Sequence, residues 1–294
     1  MHRIEYWHPT FAKVIDIGKT SQGREMKVLR LQRRSLTGQM KRAIFIDAGI
    51  HAREQITVNV VLHMIQQLVN NKHELDRLVW YFLPVFNPDG YEHARLYDPL
   101  WRKNRSGPVA DDRYSNRTCY GVDLNRNFDI NFTDKKGTSI FACSLVYGGR
   151  VAASEPEVQN FVAFVQRKTS EISAHITLHA YGQLWMVPFG FQKGVYPENY
   201  HEQIDVANEA VNAVRLVNGN DYSVGSSADL LYESSGRSQD WMATVARVPL
   251  TFSVEVGNGT CAFVGSWRCR QEISHDIWAG VRVVARRLRD RVHW

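Results

Sequence analysis

An α/β fold with crossover helices is what this 294-residue chain predicts. Residues 43–50 and 78–85 are apolar runs of strand length. Between them, residues 56–68 carry apolar side chains at helical spacing (Val58, Val61, Leu62, Ile65, Leu68). Strand, helix, strand in that order suggests a sheet whose strands are joined across its faces. The alternation continues downstream. Ser154 and Glu157 match a capping box for a helix over 154–165. A strand at 172–178, a helix at 206–216, a strand at 248–256 and a helix at 273–288 follow. Residues 87–149 are rich in Gly, Asn, Asp and Arg and weakly periodic, and so long an irregular region in a compact domain is usually functional.

Hydrophobic residues make up 44% of the chain, enough for a sizeable core, and no polar linker or low-complexity run divides it. Residues 1–294 therefore read as a single domain. No repeat at solenoid or propeller period is found. No apolar stretch approaches ~18 residues, which excludes a membrane-spanning helix. Met1-His2-Arg3-Ile4-Glu5 lacks the apolar core of a signal peptide, so export would need a segment outside this sequence. The net charge of +6 is partly concentrated in Arg282, Arg286, Arg287, Arg289 and Arg291. The favoured reading is the solvated face of a last helix, and a polyanion patch is the sharper alternative. No nucleic-acid fold signature accompanies it.

Four cysteines, Cys119, Cys143, Cys261 and Cys269, allow three pairings that sequence alone does not separate, nearest-in-sequence pairing being the simplest. Without a CxxC spacing a cysteine zinc cluster is disfavoured. Sequons begin at Asn104, Asn116, Asn131 and Asn258. Together, disulfide-compatible cysteines and sequons favour an oxidising, extracellular setting.

His51-Ala52-Arg53-Glu54 follows the first strand. A strand ending in His-x-x-Glu offers an imidazole and a carboxylate to one point, and a catalytic zinc takes three such ligands and one open position. The bland alternative is a surface turn with a salt bridge to Arg53. In open α/β sheets, sites gather beyond the carboxyl ends of strands. His179 follows one such run and Glu255 lies near the end of another.

Further segments align with this pair: Trp101-Arg102-Lys103-Asn104-Arg105, Gly121-Val122-Asp123-Leu124-Asn125-Arg126-Asn127, Leu178-His179-Ala180-Tyr181 and Tyr232-Glu233-Ser234-Ser235-Gly236. With His51-Ala52-Arg53-Glu54 and Glu255 they closely resemble the pancreatic-type zinc carboxypeptidases, the A and B subfamily, from about Trp7 to the C-terminus. The resemblance implies a mixed, mostly parallel, twisted sheet of about eight strands with helices on both faces. It implies one Zn2+ held by His51, Glu54 and His179, with water in the fourth position and Glu255 as general base. Arg105 would stabilise the oxyanion. Asn125 and Arg126 would bind the substrate's terminal carboxylate, Arg126 as a bidentate fork, with Tyr232 closing over it. Asp123 would hold the second ring nitrogen of a ligand histidine, and Arg102 and Tyr181 would line the upstream subsites. Cys119–Cys143 would be the family's disulfide, and Cys261–Cys269 would pair too. Substrates would be peptide or protein C-termini. A proteinaceous inhibitor or the chain's own prosegment would be the other partners, and the protein would be a secreted monomer.

The family's first helix is expected to be mostly absent here and its inhibitory prosegment missing, so Met1 reads as the start of a processed or engineered catalytic domain. Asn104 is expected to carry no glycan, which would obstruct the adjacent site. His175, four residues before His179, is placed on a different part of the sheet surface and read as a packed or partly exposed structural histidine. In the side-chain pocket, Gln239 precedes Asp240 where the family has an acid in enzymes that remove Lys or Arg. A basic preference is therefore disfavoured. Arg237 stands where glycine is common. Pointing inward, it would select an acidic C-terminal residue. Turned to solvent, or paired with Glu233 or Asp229, it would leave a polar slot for neutral residues. A catalytically silent binding protein of the same fold is the alternative from another class, disfavoured because every ligand and base position is filled. A serine or cysteine hydrolase finds no Gly-x-Ser-x-Gly to support it.

Overall fold

A computed structural model describes residues 1–33, 41–111 and 118–290. The chain opens with a short helix, α1 (His2–Trp7), and a hairpin, β1 (Ala12–Lys19) and β2 (Glu25–Leu31). β3 (Arg42–Ala48) passes through α2 (Gln55–Asn70) to β4 (Leu78–Leu83) and α3 (Pro88–Leu96). After the two-residue strands β5 (Val109–Ala110) and β6 (Thr118–Cys119) come α4 (Pro156–Gln166), β7 (Ile172–Ala180) and β8 (Leu184–Val187). α5 (Tyr200–Asn218), β9 (Ser223–Ser226), α6 (Ser227–Leu230), α7 (Ser238–Thr244), β10 (Leu250–Val256) and α8 (Trp267–Asp290) complete the order.

Eight strands form one mixed sheet in the order β1-β2-β4-β3-β7-β10-β8-β9. The pairs β4/β3, β3/β7, β7/β10 and β8/β9 are parallel, and the other three are antiparallel. β3 shows why the centre reads as an apolar run, broken only by the buried Asp47. Ile44, Ile46 and Ala48 enter one core with α2, α5 and α8, while Ala43 and Phe45 enter the other with α4 and α7. A strand covered on both faces has no polar side to alternate with.

Periodicity found the central elements, although α5 and α8 each begin six residues before the expected start, and it missed the β1–β2 hairpin, α3, β5, β6, β8, β9, α6 and α7, while the short α1 stands where the first helix was expected to be mostly absent. β1 is an edge strand with a mixed burial pattern, so its charged residues blur the signal. The capping box does not form. α4 starts at Pro156 with Glu155 as N-cap and no side-chain cap bond. Ser154 Oγ instead donates to Glu155 (2.8 Å), and the Glu157 carboxylate accepts from Ser21 N (3.2 Å) and Asn104 Nδ2 (3.1 Å). Local propensity there yields to a buried network.

Both predicted disulfides are present, Cys119–Cys143 and Cys261–Cys269. Asn104 is fully buried, its amide committed to Glu155 and Glu157 and its carbonyl to Val122 N. No glycan reaches it in the folded chain, while the Asn258 sequon lies on the surface. The sequon residue Asn116 lies outside the described residues, as does Arg291. On α8, Arg286 and Arg287 pair with Glu209 and Arg289 with Glu74, so much of the basic face is neutralised in place. Among the described residues no helix is long and apolar enough to cross a membrane.

Candidate active site

β3, β7 and β10 are parallel neighbours, so their carboxyl ends share one edge of the sheet. The turn after β3 carries His51 and Glu54. His179 lies in β7 and Glu255 in β10, directly opposite one another in register. His51 Nδ1 is 2.8 Å from Glu54 Oε1. His179 Nδ1 is 3.1 Å from Glu54 Oε2 and 3.2 Å from His51 Nδ1. Two imidazole nitrogens and a carboxylate thus converge in a buried setting, with all donor atoms within 4.8 Å of one another. Such a cluster of lone pairs is what a cation satisfies, and two histidines with one glutamate is a catalytic zinc donor set. The residues present therefore fit zinc.

The ring of supports around them is closely paired. His51 Nε2 faces Asp123 Oδ1 at 3.3 Å, while Arg102 donates twice to Asp123 Oδ2 (3.0 and 2.9 Å). Burial alone would raise the Asp123 carboxyl, but the Arg102 and His51 charges hold it well below the carboxylate range. Glu54 is likewise lowered, burial being outweighed by the two histidines. Glu255 is the exception. It is partly exposed, its carboxylate accepts no hydrogen bond among the described residues, and burial pushes it up.

His175 is corrected in position. It shares the face of His179, as residues four apart on a strand must. It is fully buried against Phe45 and Phe161, with Nε2 2.6 Å from Asp47 Oδ2. Thr177, between them, donates to Asp47 Oδ1 (2.8 Å) and lies 3.4 Å from His179 Nε2. His175 therefore belongs to the support under His179.

Arg126 is 2% exposed. Its donors go to Gly137 O (2.9 Å), Asn125 O (2.7 Å) and Tyr232 Oη (3.0 Å), and no carboxylate pairs with it among the described residues. Asn125 accepts from Ser238 N (2.9 Å), and its Nδ2 lies 3.4 Å from His179 Nε2. Tyr181 and Tyr232 stand half-exposed at the mouth of the same cleft.

Arg105 is not in that cleft. Its guanidinium lies between Trp101 and Tyr120, 4.5 and 4.8 Å from their ring centroids. Arg102 lines the cleft instead, with Nη1 3.8 Å from Glu54 Oε1. The sequence reading also missed Arg53 and Phe263, which line the cleft with the guanidinium 4.5 Å from the ring centroid. The position of Arg53 between His51 and Glu54 was the available signal. Gln239 is buried, with both amide hydrogens engaged, by Met186 O and Thr251 O (3.4 Å). Oε1 accepts from Ser227 Oγ (2.7 Å), and Nε2 donates to Met186 O (2.9 Å). Its donor end is therefore not free for a ligand. Arg237 points inward and lines the cleft.

The fold and this cluster define a metallohydrolase, and the comparisons make the class specific. The zinc carboxypeptidase family model matches residues 1–275. Carboxypeptidase O of Bos taurus is 38% identical over 256 residues, covering 84% of this chain and 65% of that protein. Carboxypeptidase B of Astacus astacus is 34% identical over 290 residues, covering 96% of this chain and 92% of that protein. The solved structure of bovine thrombin-activatable fibrinolysis inhibitor, in complex with tick carboxypeptidase inhibitor, matches with a TM-score of 0.90 at 29% identity, covering 99% of this chain and 95% of that one. The chain belongs to the zinc carboxypeptidase family and is a zinc-dependent metallocarboxypeptidase.

Proposed function

We propose that the protein removes C-terminal residues one at a time, with His51, Glu54 and His179 holding zinc and Glu255 acting as general base. One observation carries this reading. Three converging donors and a carboxylate that among the described residues accepts no hydrogen bond sit at one sheet edge, in a cleft shared with a buried arginine that pairs with no carboxylate among those residues. Bound zinc supplies Lewis acidity and a nucleophilic water near neutral pH. Glu255 takes the proton of the attacking water and passes it to the leaving amine as the C–N bond breaks. Arg102 takes the oxyanion role in place of Arg105, since its guanidinium lines the cleft beside Glu54. Asp123 orients His51 and Arg102 together.

Asn125 and Arg126 receive the terminal carboxylate and Tyr232 closes over it. Tyr181, Arg53 and Phe263 line the outer cleft for upstream residues. Among side chains on the departing residue, acidic or neutral ones are accepted and basic ones are not, because Gln239 is uncharged where an acid would be needed. Peptide and protein C-termini are the substrates. A proteinaceous inhibitor or a prosegment would seat in the same cleft, as the inhibitor complex of the structural neighbour supports for the inhibitor. Two disulfides favour an extracellular setting, and the protein works as a monomer. Zinc analysis combined with assay of C-terminal amino-acid release tests the reading. Stoichiometric zinc with no release from any peptide would sink it.

A further inference from the structure

Building on the exopeptidase reading, we infer that Arg237 is the receptor for an acidic side chain on the residue being removed, which makes the enzyme selective for C-terminal Glu or Asp. Arg237 is 5% exposed and lines the cleft together with Arg126, Tyr232 and Glu255. Its Nη1 is enclosed and has no hydrogen-bond partner among the described residues. A buried guanidinium with a donor left unmade is costly, and a ligand carboxylate placed against it would remove that cost.

Glu255 lines the same cleft and attracts Arg237 through charge without forming an ion pair with it, and the other nearby acids are committed elsewhere. Glu233 pairs with Lys136 (3.3 Å) and accepts from Lys193 N (3.0 Å). Asp229 accepts from Ser226 Oγ (2.7 Å), Tyr196 Oη (3.0 Å) and Gly194 N (3.3 Å). Asp240, one turn along α7, gives both oxygens to Gly190 N (2.9 and 3.0 Å). Among the described residues Arg237 forms no ion pair with any of them.

The seat is shaped for this side chain. A Cβ on Gly190 would fall 2.5 Å from Arg237 Cδ and 2.6 Å from Nη1, so only glycine lets the guanidinium lie there. Gln239 below has both amide hydrogens engaged and offers no competing donor. Arg126 and Arg237 thus leave in one cleft two cations that have no ion-pair partner among the described residues. A residue ending the chain with both an α-carboxylate and a side-chain carboxylate supplies a partner to each. A neutral residue supplies one, and a lysine repels the second.

The test uses the zinc-loaded full chain and N-blocked peptides identical except for a last residue of Glu, Gln, Leu or Lys. Glu should exceed Gln by about 10²-fold in kcat/KM, with Lys slowest. Arg237→Gln should collapse the Glu:Gln ratio, and Arg237→Lys should keep part of it. Equilibrium binding of N-acetylglutamate against N-acetylglutamine to the unsubstituted protein gives a second readout that does not depend on a variant folding. Release of Gln or Leu as fast as Glu, or equal binding of the two ligands, would overturn the inference and leave the exopeptidase reading intact. Absence of release from every peptide would instead remove the exopeptidase reading, and the binding comparison would then decide the role of Arg237 alone.

Discussion

Along the β3–β7–β10 edge, charged groups carry their counter-charges with them. Asp123 is locked between Arg102 and His51, and Glu54 lies with His51 and His179 around the point where zinc would supply the positive charge. Across the cleft, at the start of α7, Arg237 lies on Gly190 with an enclosed Nη1 that has no partner among the described residues. The first wall is complete without substrate, apart from Glu255, the carboxylate assigned to proton transfer. The second is completed by what binds. Preorganised groups lower barriers because they need not rearrange during reaction. An unfinished cation instead discriminates between ligands, because only some of them finish it.

The largest effect expected on the complete wall is that of Glu255→Gln. The amide keeps the shape but cannot take a proton, so turnover should fall by about 10²–10⁴-fold with zinc retained. His179→Ala should lose zinc itself, which metal analysis separates from a pure rate effect. Near-normal turnover in Glu255→Gln would remove it as the base. Amidating the substrate C-terminus comes next. Depriving Arg126 of its carboxylate should cost about 2–5 kcal/mol in kcat/KM, and equal rates on free and amidated peptides would point to an endopeptidase. The two arginines of the 101–105 segment should then separate. Arg102→Ala should lower kcat by about 10²–10³-fold, while Arg105→Ala should stay within a few-fold. The reverse order would restore Arg105 to the oxyanion role.

The smallest effect concerns stability near the unfinished wall. Burial pushes the Asp240 carboxyl up to about 6 from an ordinary value of 3.8. The folded state then binds more protons than the unfolded one between those values, so ionising Asp240 costs stability as pH rises from about 4 through 6. The loss reaches about 3 kcal/mol and is constant above that window. Asp240→Asn, which keeps an acceptor for Gly190, should be free of this slope. Denaturant unfolding of both proteins at pH 4, 5, 6 and 7 checks it, and parallel curves would show that Asp240 titrates as an ordinary carboxyl.

How much was legible differs between the two walls for the same reason. His51, Glu54, His179 and Glu255 could be read because strand ends are visible as apolar runs stopping at polar residues, and metal chemistry accepts few residue types. The choice between Arg102 and Arg105 could not, since both sit in an irregular segment where only their neighbours decide. Arg105 is captured by Trp101 and Tyr120, and Arg102 by Asp123. The direction of Arg237 was equally hidden. Solvent, Glu233 and Asp229 were all open to it until the hydrogen bonds of those two acids showed them occupied. His175 was a failure of a different kind, because strand alternation already places it under His179. The capping box at Ser154 failed because a buried network outcompeted a motif worth about 1 kcal/mol.

The central claim is that one cleft both cuts a peptide bond and demands a free C-terminal carboxylate. Mass spectrometry of one peptide, with free and with amidated C-terminus, after incubation with the zinc-loaded protein tests it most directly. The free form should shorten from its end by single residues while the amidated form stays intact. Internal cleavage of either form, or shortening of both at the same rate, would contradict the account.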